Sequence, residues 1–128
     1  MKNSSVPTVL DFISLQVRDL EKSKEFYHKT LRFQLAEYQQ PEAVVFNDSQ
    51  GAIFAIRNPL IDLSTVGQLG LGASLWFSWS ESIEDLHDYL QREEVKIVKP
   101  PFGTPFGRSI VIADPDGYLL TFHQVGHE

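Results

Sequence analysis

Four histidines are the side chains best suited to proton transfer or metal binding near neutral pH. His28 and His87 fall in predicted helices and His127 falls in the C-terminal tail, whereas His123 belongs to a predicted strand. Arg108, counted as the cross-strand neighbour of His123, would complete a pair able to bind an anionic or carbonyl group. The spacing shows no second catalytic group beside His123, so we expect binding rather than catalysis.

Several motifs that carry chemistry are absent from the sequence. There is no Cys, which excludes disulfides, zinc–thiolate sites and a cysteine nucleophile. No Gly-rich phosphate loop follows a strand, and neither a Gly-x-Ser-x-Gly elbow nor a His-Glu-x-x-His helix occurs. The glycine-spaced segment 67–72 precedes a predicted strand, so it does not fit a dinucleotide-binding turn.

Length and composition indicate one globular domain. The 128 residues are 42% hydrophobic and 22% charged, which is enough apolar material for a core of ordinary size. The net charge of −6 argues against nucleic acid or an anionic membrane surface as a partner. No segment resembles a signal peptide or reaches transmembrane length, so we expect a soluble, cytoplasmic protein.

Two β-hairpin turns, 66 residues apart, organise the chain. The second turn is Asp114-Pro115-Asp116-Gly117, in which Pro115 presets φ and Gly117 accepts a positive φ. The first turn is Asp48-Ser49-Gln50-Gly51. The flanking segments rich in strand-forming residues are 43–46, 52–56, 109–113 and 118–123. The repetition predicts two modules with the same order of elements.

A strand, a helix and a short strand precede each hairpin. The predicted strands are 9–17, 34–38, 73–79 and 95–98, and the predicted helices are 20–31 and 83–92. Asp19 caps the first helix, and Ser80 or Ser82 caps the second. Residues 57–72 form a connector and 99–107 a Pro/Gly-rich loop. The fold class is therefore α+β, with two βαβββ modules (about 9–58 and 73–124) in one domain spanning 9–124.

Two stretches resemble a known family. Val17-Arg18-Asp19-Leu20-Glu21-Lys22-Ser23-Lys24-Glu25-Phe26-Tyr27 resembles the first-module signature of the vicinal-oxygen-chelate superfamily, which includes glyoxalase I, bleomycin-resistance proteins, extradiol dioxygenases and fosfomycin-resistance enzymes. Asp114-Pro115-Asp116-Gly117-Tyr118 resembles its closing signature, so the resemblance covers nearly the whole chain. It implies curled mixed sheets that enclose a cavity, and a homodimer.

The resembled enzymes hold a divalent metal with four inward side chains. Carried over by motif, these positions are Phe12, Ala55, Ser74 and Thr121. Phe and Ala have no lone pair to donate, and single Ser and Thr hydroxyls are too weak to hold a divalent ion. We therefore expect no metal and no cofactor, and no metal-dependent chemistry of the family.

Hairpin pairing predicts which side chains face the cavity. A four-residue loop in each hairpin would place Ile110 opposite Thr121, Arg108 opposite His123 and Phe46 opposite Ile53. The same count would place Ile112 opposite Leu119, Val44 opposite Ala55 and Glu42 opposite Arg57. With alternation of side chains, the predicted ligand-binding residues are Phe12, Ser14, Gln16, Phe46, Ile53, Ala55, Arg57, Ser74, Trp76, Ser78, Arg108, Ile110, Leu119, Thr121 and His123. This mixture of aromatic, aliphatic and polar groups is typical of a small-molecule pocket.

Some assignments have alternatives. Phe12 and Ala55 also fit as core filler, and Trp79 competes with the favoured Trp76 for the pocket position. The favoured function is a metal-free protein that sequesters an apolar or amphipathic small molecule. The first alternative is a glyoxalase-like lyase or dioxygenase, using other metal ligands or working metal-free through His123 and Arg108. The second is a dimeric interaction module with a collapsed cavity.

Overall fold

A computed structural model of the protein describes residues 6–47 and 51–125. They form two compact units, which we call the first and second modules. The boundary between them lies between Leu60 and Ile61. The elements in chain order are β1 (Phe12–Gln16), α1 (Leu20–Lys24), a π-helix (Glu25–Thr30), β2 (Ala43–Phe46), β3 (Ile53–Arg57), a 3₁₀-helix (Leu63–Thr65), β4 (Leu75–Trp79), α2 (Ile83–Arg92), β5 (Lys96–Thr104), β6 (Gly107–Ala113) and β7 (Leu119–Gln124). Turn residues 48–50 and His127 lie outside the described ranges. Within those ranges, no helix is long and apolar enough to cross a membrane.

Each module contains a mixed sheet, and the three strands of the first module correspond in order to the first three strands of the four-stranded sheet in the second. In the first module the order is β1-β3-β2, with β1 parallel and β2 antiparallel to β3. In the second module the order is β4-β7-β6-β5, with β4 parallel to β7 and the remaining pairs antiparallel. The leading strand of each module thus lies beside its last strand. The predicted α+β class with two mixed sheets is confirmed.

The first module packs a helix against one face of its sheet. Asp19 caps α1 as predicted, with its carboxylate accepting a hydrogen bond from the Lys22 amide at 3.1 Å. The helix then widens into the π-helix instead of continuing as one α-helix. Tyr27 in this wider segment is fully buried, and its ring lies 5.2 Å from Phe54 and 5.9 Å from Phe46. Aromatic packing therefore covers this sheet face.

The short strand predicted at 34–38 is wrong, because a side chain takes most of its place. Leu35 forms only a single bridge with Phe46. The Gln39 side-chain amide accepts a hydrogen bond from Val45 N at 2.8 Å and donates one to Val45 O at 2.9 Å. Val45 O also accepts a hydrogen bond from Ala36 N at 2.9 Å, so the Gln39 side chain replaces a strand partner at Val45 N.

The second module has its own helix-covered core. Ser82 caps α2 through the Asp85 amide, and α2 has the predicted bounds. Its fully buried face consists of apolar side chains one helical turn apart, as expected for a helix that packs on a sheet. The buried residues of this core are Ile83, Leu86, Leu90, Ile110, Ile112, Leu120 and Phe122.

Strand β5 is longer than predicted and runs through the segment expected to be a loop. It extends from Lys96 to Thr104 and includes Pro100 and Pro101. Its pairing with β6 is irregular between Lys99 and Phe102, where the prolines lie. Proline lacks an amide hydrogen. Because β5 is an edge strand and its pairing with β6 is irregular at the prolines, no ladder hydrogen bond requires an amide hydrogen there.

Both hairpins pair one residue further along than predicted. The observed pairs include Val44–Ile56, Val45–Ala55, Phe46–Phe54, Ser109–His123, Val111–Thr121, Ile112–Leu120 and Ala113–Leu119. Because side chains alternate, a shift of one residue moves a strand's side chains to the other face. Phe46 and Ile110 therefore belong to the helix-covered faces, and so does Ile112.

The second hairpin shows the cause of the shift. The Asp114 carboxylate is buried and accepts hydrogen bonds from Asp116 N at 2.8 Å and Tyr118 N at 3.0 Å. Because the Tyr118 amide is bound inside the turn, it does not start the ladder of β7. The loop consequently contains five residues, and the first ladder pair is Ala113 with Leu119.

Candidate functional site

The sheet face opposite α2 in the second module carries a mixed set of aromatic and polar side chains. We call it the second helix-free face, and its members by register on β4, β6 and β7 are Trp76, Ser78, Ser109, Val111, Ala113, Leu119, Thr121 and His123. Trp76 and Leu119 remain 44% and 41% exposed. Large apolar groups left open on a sheet mark a surface that suits a ligand or partner.

Trp76 is the centre of this face. Its ring lies 5.7 Å from that of His123 and 6.0 Å from that of Phe106, in both cases edge to face. Its indole Nε1 donates a hydrogen bond to Ser74 Oγ at 2.8 Å, which holds the ring plane. Trp79 instead contacts Phe122 on the helix-covered face. The structure thus distinguishes the two tryptophans that the sequence leaves open.

Phe106 reaches Trp76 from the turn between β5 and β6. The Thr104 hydroxyl accepts a hydrogen bond from Phe106 N at 3.0 Å and donates one to Gly107 O at 2.9 Å. Gly107 has φ of 117°, and a Cβ there would lie 2.8 Å from Gln124 O. A close backbone approach therefore requires glycine beside a phenylalanine that is 69% exposed.

His123 has one nitrogen buried in protein. Its Nδ1 is inaccessible to solvent and has no hydrogen-bond partner within the described part of the chain. Ser78 of β4 and Ser109 of β6 flank it in register. Its partly exposed ring contacts Trp76, so His123 offers a polar group beside the aromatic cluster.

The first module also has a helix-free face, opposite Tyr27. Its members by register are Phe12, Ser14, Gln16, Ala43, Val45, Ile53, Ala55 and Arg57. Phe12 is 50% exposed and Ala55 is buried. Gln16 accepts a hydrogen bond from Leu60 N at 2.6 Å, and Arg57 Nε donates one to Asn58 O at 3.0 Å.

Four predicted site residues are not members of these faces. Ser74 precedes β4 and accepts the hydrogen bond from Trp76 Nε1. Phe46 packs against Tyr27, and Ile110 is fully buried under α2. Arg108 lies opposite Gly103, not His123, and its Nε donates to Glu84 Oε2 at 3.0 Å. This hydrogen bond from the guanidinium lowers the pKa of the Glu84 carboxyl. The predicted pairs Arg108–His123 and Glu42–Arg57 are therefore wrong, each through the one-residue shift.

Sequence reasoning missed Phe106 and the β6 residues that replace Ile110. Ser109 and Val111 follow from the register alone, which the Asp114 side chain sets. Phe106 had a usable signal, because an aromatic residue in a Thr-Pro-Phe-Gly turn has no core position to fill. Loops on a rigid scaffold commonly carry binding residues.

The metal implied by the fold family does not fit the side chains at the motif positions. Phe12 and Ala55 in the first module donate no lone pair, and Ser74 and Thr121 in the second offer only neutral hydroxyls. Within residues 6–47 and 51–125, no three His, Asp or Glu side chains cluster in a way that could hold an ion. No step of a mechanism is therefore assigned to a metal at these positions.

Comparison with protein families places nearly the whole chain in one group. Residues 9–122 match the Glyoxalase/Bleomycin resistance protein/Dioxygenase superfamily. The match spans both modules and both hairpins. It agrees with the mixed sheets and with the two sequence stretches that resemble the family signatures.

Individual proteins of known sequence or structure are also similar. The phenazine antibiotic resistance protein EhpR of Enterobacter agglomerans is 24% identical over 128 residues, covering 94% of this chain and 95% of the relative. The structure of TnmS3, an antibiotic binding protein from Streptomyces sp. CB03234, superimposes with a TM-score of 0.72 at 23% identity, covering 97% of this chain and 100% of the other. A glyoxalase/dioxygenase from Nostoc punctiforme gives a TM-score of 0.73 at 16% identity, covering 99% and 100%. These two structures share the fold.

Proposed function

The chain belongs to the Glyoxalase/Bleomycin resistance protein/Dioxygenase superfamily, and we propose that it binds a planar aromatic small molecule on the second helix-free face. The similar proteins EhpR, a phenazine antibiotic resistance protein, and TnmS3, an antibiotic binding protein, support a ligand of this class. A protein of this kind acts by sequestering its ligand.

The exposed ring of Trp76 carries the proposal. A flat ligand laid against Trp76 and Phe106 would remove roughly 100 Å² of apolar surface from water, worth about 2.5 kcal/mol. Aromatic contacts of good geometry add about 0.5–1.5 kcal/mol. Because Ser74 holds the Trp76 indole, little side-chain entropy is lost when the ligand binds.

Polar groups around the rings would orient the ligand. Ser78 and His123 lie beside each other in register on β4 and β7, and Ser78 is exposed. A few polar groups among apolar and aromatic ones are typical of ligand sites that select by hydrogen bonding. The ligand therefore carries ring nitrogens, carbonyl or hydroxyl groups as well as an apolar plane.

Binding of this ligand requires no divalent metal. Hydroxyl, methyl and phenyl groups at the motif positions support this part of the proposal, because none competes with water for a divalent ion. A metal-free reaction through Arg108 and His123 would need both groups together. The ion pair of Arg108 with Glu84 is inconsistent with a site that contains both Arg108 and His123.

We also propose that the protein is a homodimer. Many large apolar side chains are exposed in the single chain, and association of two copies would remove some of them from water. They include Val9, Leu10, Phe12, Leu60, Ile61, Leu71, Trp76, Val98, Phe106 and Leu119. Sedimentation velocity at several concentrations tests this, and a species that stays monomeric up to the highest protein concentration contradicts it.

Tryptophan fluorescence tests the ligand proposal, since the protein has only two tryptophans. Titration with phenazine is expected to quench the emission of Trp76 saturably. The variant Trp76→Ala is expected to bind phenazine at least about tenfold more weakly by calorimetry, equivalent to about 1.4 kcal/mol. Tyr38→Ala is the control, because Tyr38 is a more exposed aromatic residue, in the first module. Equal affinity of Trp76→Ala and the unmodified protein contradicts the proposal.

A further inference from the structure

We propose a separate anion site on the helix-free face of the first module, where Arg57 binds the carboxylate of a flat aromatic acid. The aromatic body would extend along the strands towards Phe12 and Ile53. This proposal rests on Arg57 and its surroundings, and the aromatic cluster at Trp76 plays no part in it.

The Arg57 guanidinium has few partners for a half-buried cation. Its Nε donates to the carbonyl oxygen of Asn58, the next residue, at 3.0 Å. Within the described residues it makes no other hydrogen bond and no ion pair. Its two terminal nitrogens therefore have donors available for a ligand.

The hairpin register explains why Arg57 lacks a carboxylate. Ala43 rather than Glu42 lies opposite Arg57. The Glu42 carboxylate instead accepts a hydrogen bond from Asn58 Nδ2 at 2.6 Å. No member of this helix-free face is acidic, although the chain contains 17 Asp and Glu residues.

A cation in this position favours an anionic ligand of a particular shape. Partial burial removes water from the guanidinium, and an unpaired buried charge is unfavourable until an anion binds. The planar guanidinium matches a carboxylate through two parallel hydrogen bonds, which a neutral amide cannot reproduce. Charge complementarity thus selects a carboxylate over an uncharged aromatic ligand.

The rest of the face sets the length of the ligand. Ser14 and Ala55 are neighbours in register in the middle of the face. Their small side chains leave space for a ligand between Arg57 and Phe12. Phe12 and Ile53, the apolar end, lie four residues along the strands from Gln16 and Arg57, or about 13 Å at 3.3 Å per residue. A two- or three-ring aromatic monocarboxylate spans most of that distance.

Nuclear magnetic resonance of the Arg57 Nε–H group tests the proposal directly. Titration with 2-naphthoate is expected to shift this resonance saturably, whereas the neutral 2-naphthamide is expected to leave it unchanged. Arg57→Gln is expected to weaken naphthoate binding at least about tenfold by calorimetry. Arg57→Lys is expected to retain only part of the affinity, because an ammonium group cannot form the bidentate contact.

Controls separate this site from other occupants and from the Trp76 site. Arg108→Gln removes an arginine of the second module and is expected to leave naphthoate binding unchanged. Trp76→Ala is expected to keep the Arg57 response, so either proposal can fail while the other stands. Equal responses to naphthoate and naphthamide overturn the carboxylate site. So does stronger binding of inorganic phosphate than of naphthoate, or a response of Arg57 that follows self-association of the protein instead of ligand concentration.

Discussion

The buried carboxylate of Asp114 accepts a hydrogen bond from the backbone amide of Tyr118 at 3.0 Å, and this bond sets the register of the last two strands. It decides that Ser109 and Val111, not Arg108 and Ile110, share a face with His123 and Thr121. The composition of the second helix-free face therefore depends on one side chain in a turn.

Replacing Asp114 by Ala should destabilise the protein. The substitution leaves the amides of Asp116 and Tyr118 without their acceptor, and loss of hydrogen bonds to a buried charged group costs about 1.5–3 kcal/mol. Urea unfolding followed by circular dichroism measures the change. Asp88→Ala, on the exposed side of α2, should stay within about 0.5 kcal/mol. An Asp114→Ala variant as stable as this control would show that the turn does not depend on the carboxylate.

Replacing Gly107 by Ala should both destabilise the turn and displace Phe106. The residue has φ of 117°, and its new Cβ would approach Gln124 O to 2.8 Å. The left-handed conformation alone costs a non-glycine residue about 1–2 kcal/mol. Gly103→Ala is the matched control, because a Cβ there meets nothing within 4 Å and its φ is not positive. Near-ultraviolet circular dichroism should report the altered Trp76–Phe106 contact in Gly107→Ala alone.

The buried Nδ1 of His123 predicts a particular tautomer and a particular ligand preference. An unpaired acceptor in the protein interior is tolerated better than an unpaired N–H, so the proton of the neutral ring belongs on Nε2. That N–H can donate to a ring nitrogen of phenazine. His123→Phe should weaken phenazine binding by about tenfold, or about 1.4 kcal/mol, and leave binding of anthracene unchanged.

Nitrogen chemical shifts of His123 assign the tautomer independently of any ligand. Resonances characteristic of a protonated Nδ1 in the neutral ring would contradict the assignment. Equal losses for phenazine and anthracene in His123→Phe would show that the residue acts by packing against Trp76 and not by hydrogen bonding.

The ion pair of Glu84 with Arg108 should make a small contribution to the free energy of unfolding, and this contribution should depend on pH. The guanidinium lowers the folded-state pKa of Glu84 below its ordinary value of 4.5. The stabilisation is therefore fully present above pH 4.5 and is lost as the pH falls through the lower folded-state pKa. Both side chains are largely exposed, so the effect should be slight and should disappear in 1 M salt.

Double substitution measures this contribution. The coupling between Glu84→Gln and Arg108→Gln in thermal unfolding should be present at pH 7 and should decrease as the pH falls through the lowered folded-state pKa of Glu84. Neither variant should alter phenazine binding, because Arg108 lies on the face that α2 covers. Loss of phenazine binding in Arg108→Gln would support the pairing of Arg108 with His123 that the sequence predicts.

Divalent metals should neither bind to nor stabilise the protein. The motif positions carry phenyl, methyl and hydroxyl groups, which are poor ligands for Zn²⁺, Ni²⁺, Mn²⁺ or Fe²⁺. Melting temperatures measured with and without each ion should agree within error, and metal analysis of the purified protein should be substoichiometric. Anomalous scattering from a bound transition metal beside Ala55 or Thr121 would contradict this, as would metal-stimulated turnover of a hemithioacetal or catechol.

The sequence alone determined the features that depend on neighbouring residues. The cap at Asp19, the bounds of α2 and the α+β class followed from residue types, spacing and hydrophobic period, and the cap of α2 was narrowed to Ser80 or Ser82. Each involves interactions over a few positions, which are the same wherever the segment lies in the fold. Family membership followed because both signature stretches are short and contiguous.

Only the tertiary structure decided the register and the faces. Whether Trp76 or Trp79 leaves the core, whether Arg57 meets Glu42, and whether Gln39 replaces a strand all depend on pairings between distant segments. A ladder can shift by one residue with little change in local propensity, yet the shift moves every side chain of a strand to the opposite face. The side chains of the proposed sites were therefore set by contacts such as that of Asp114 with Tyr118, which no pattern of residue types reveals.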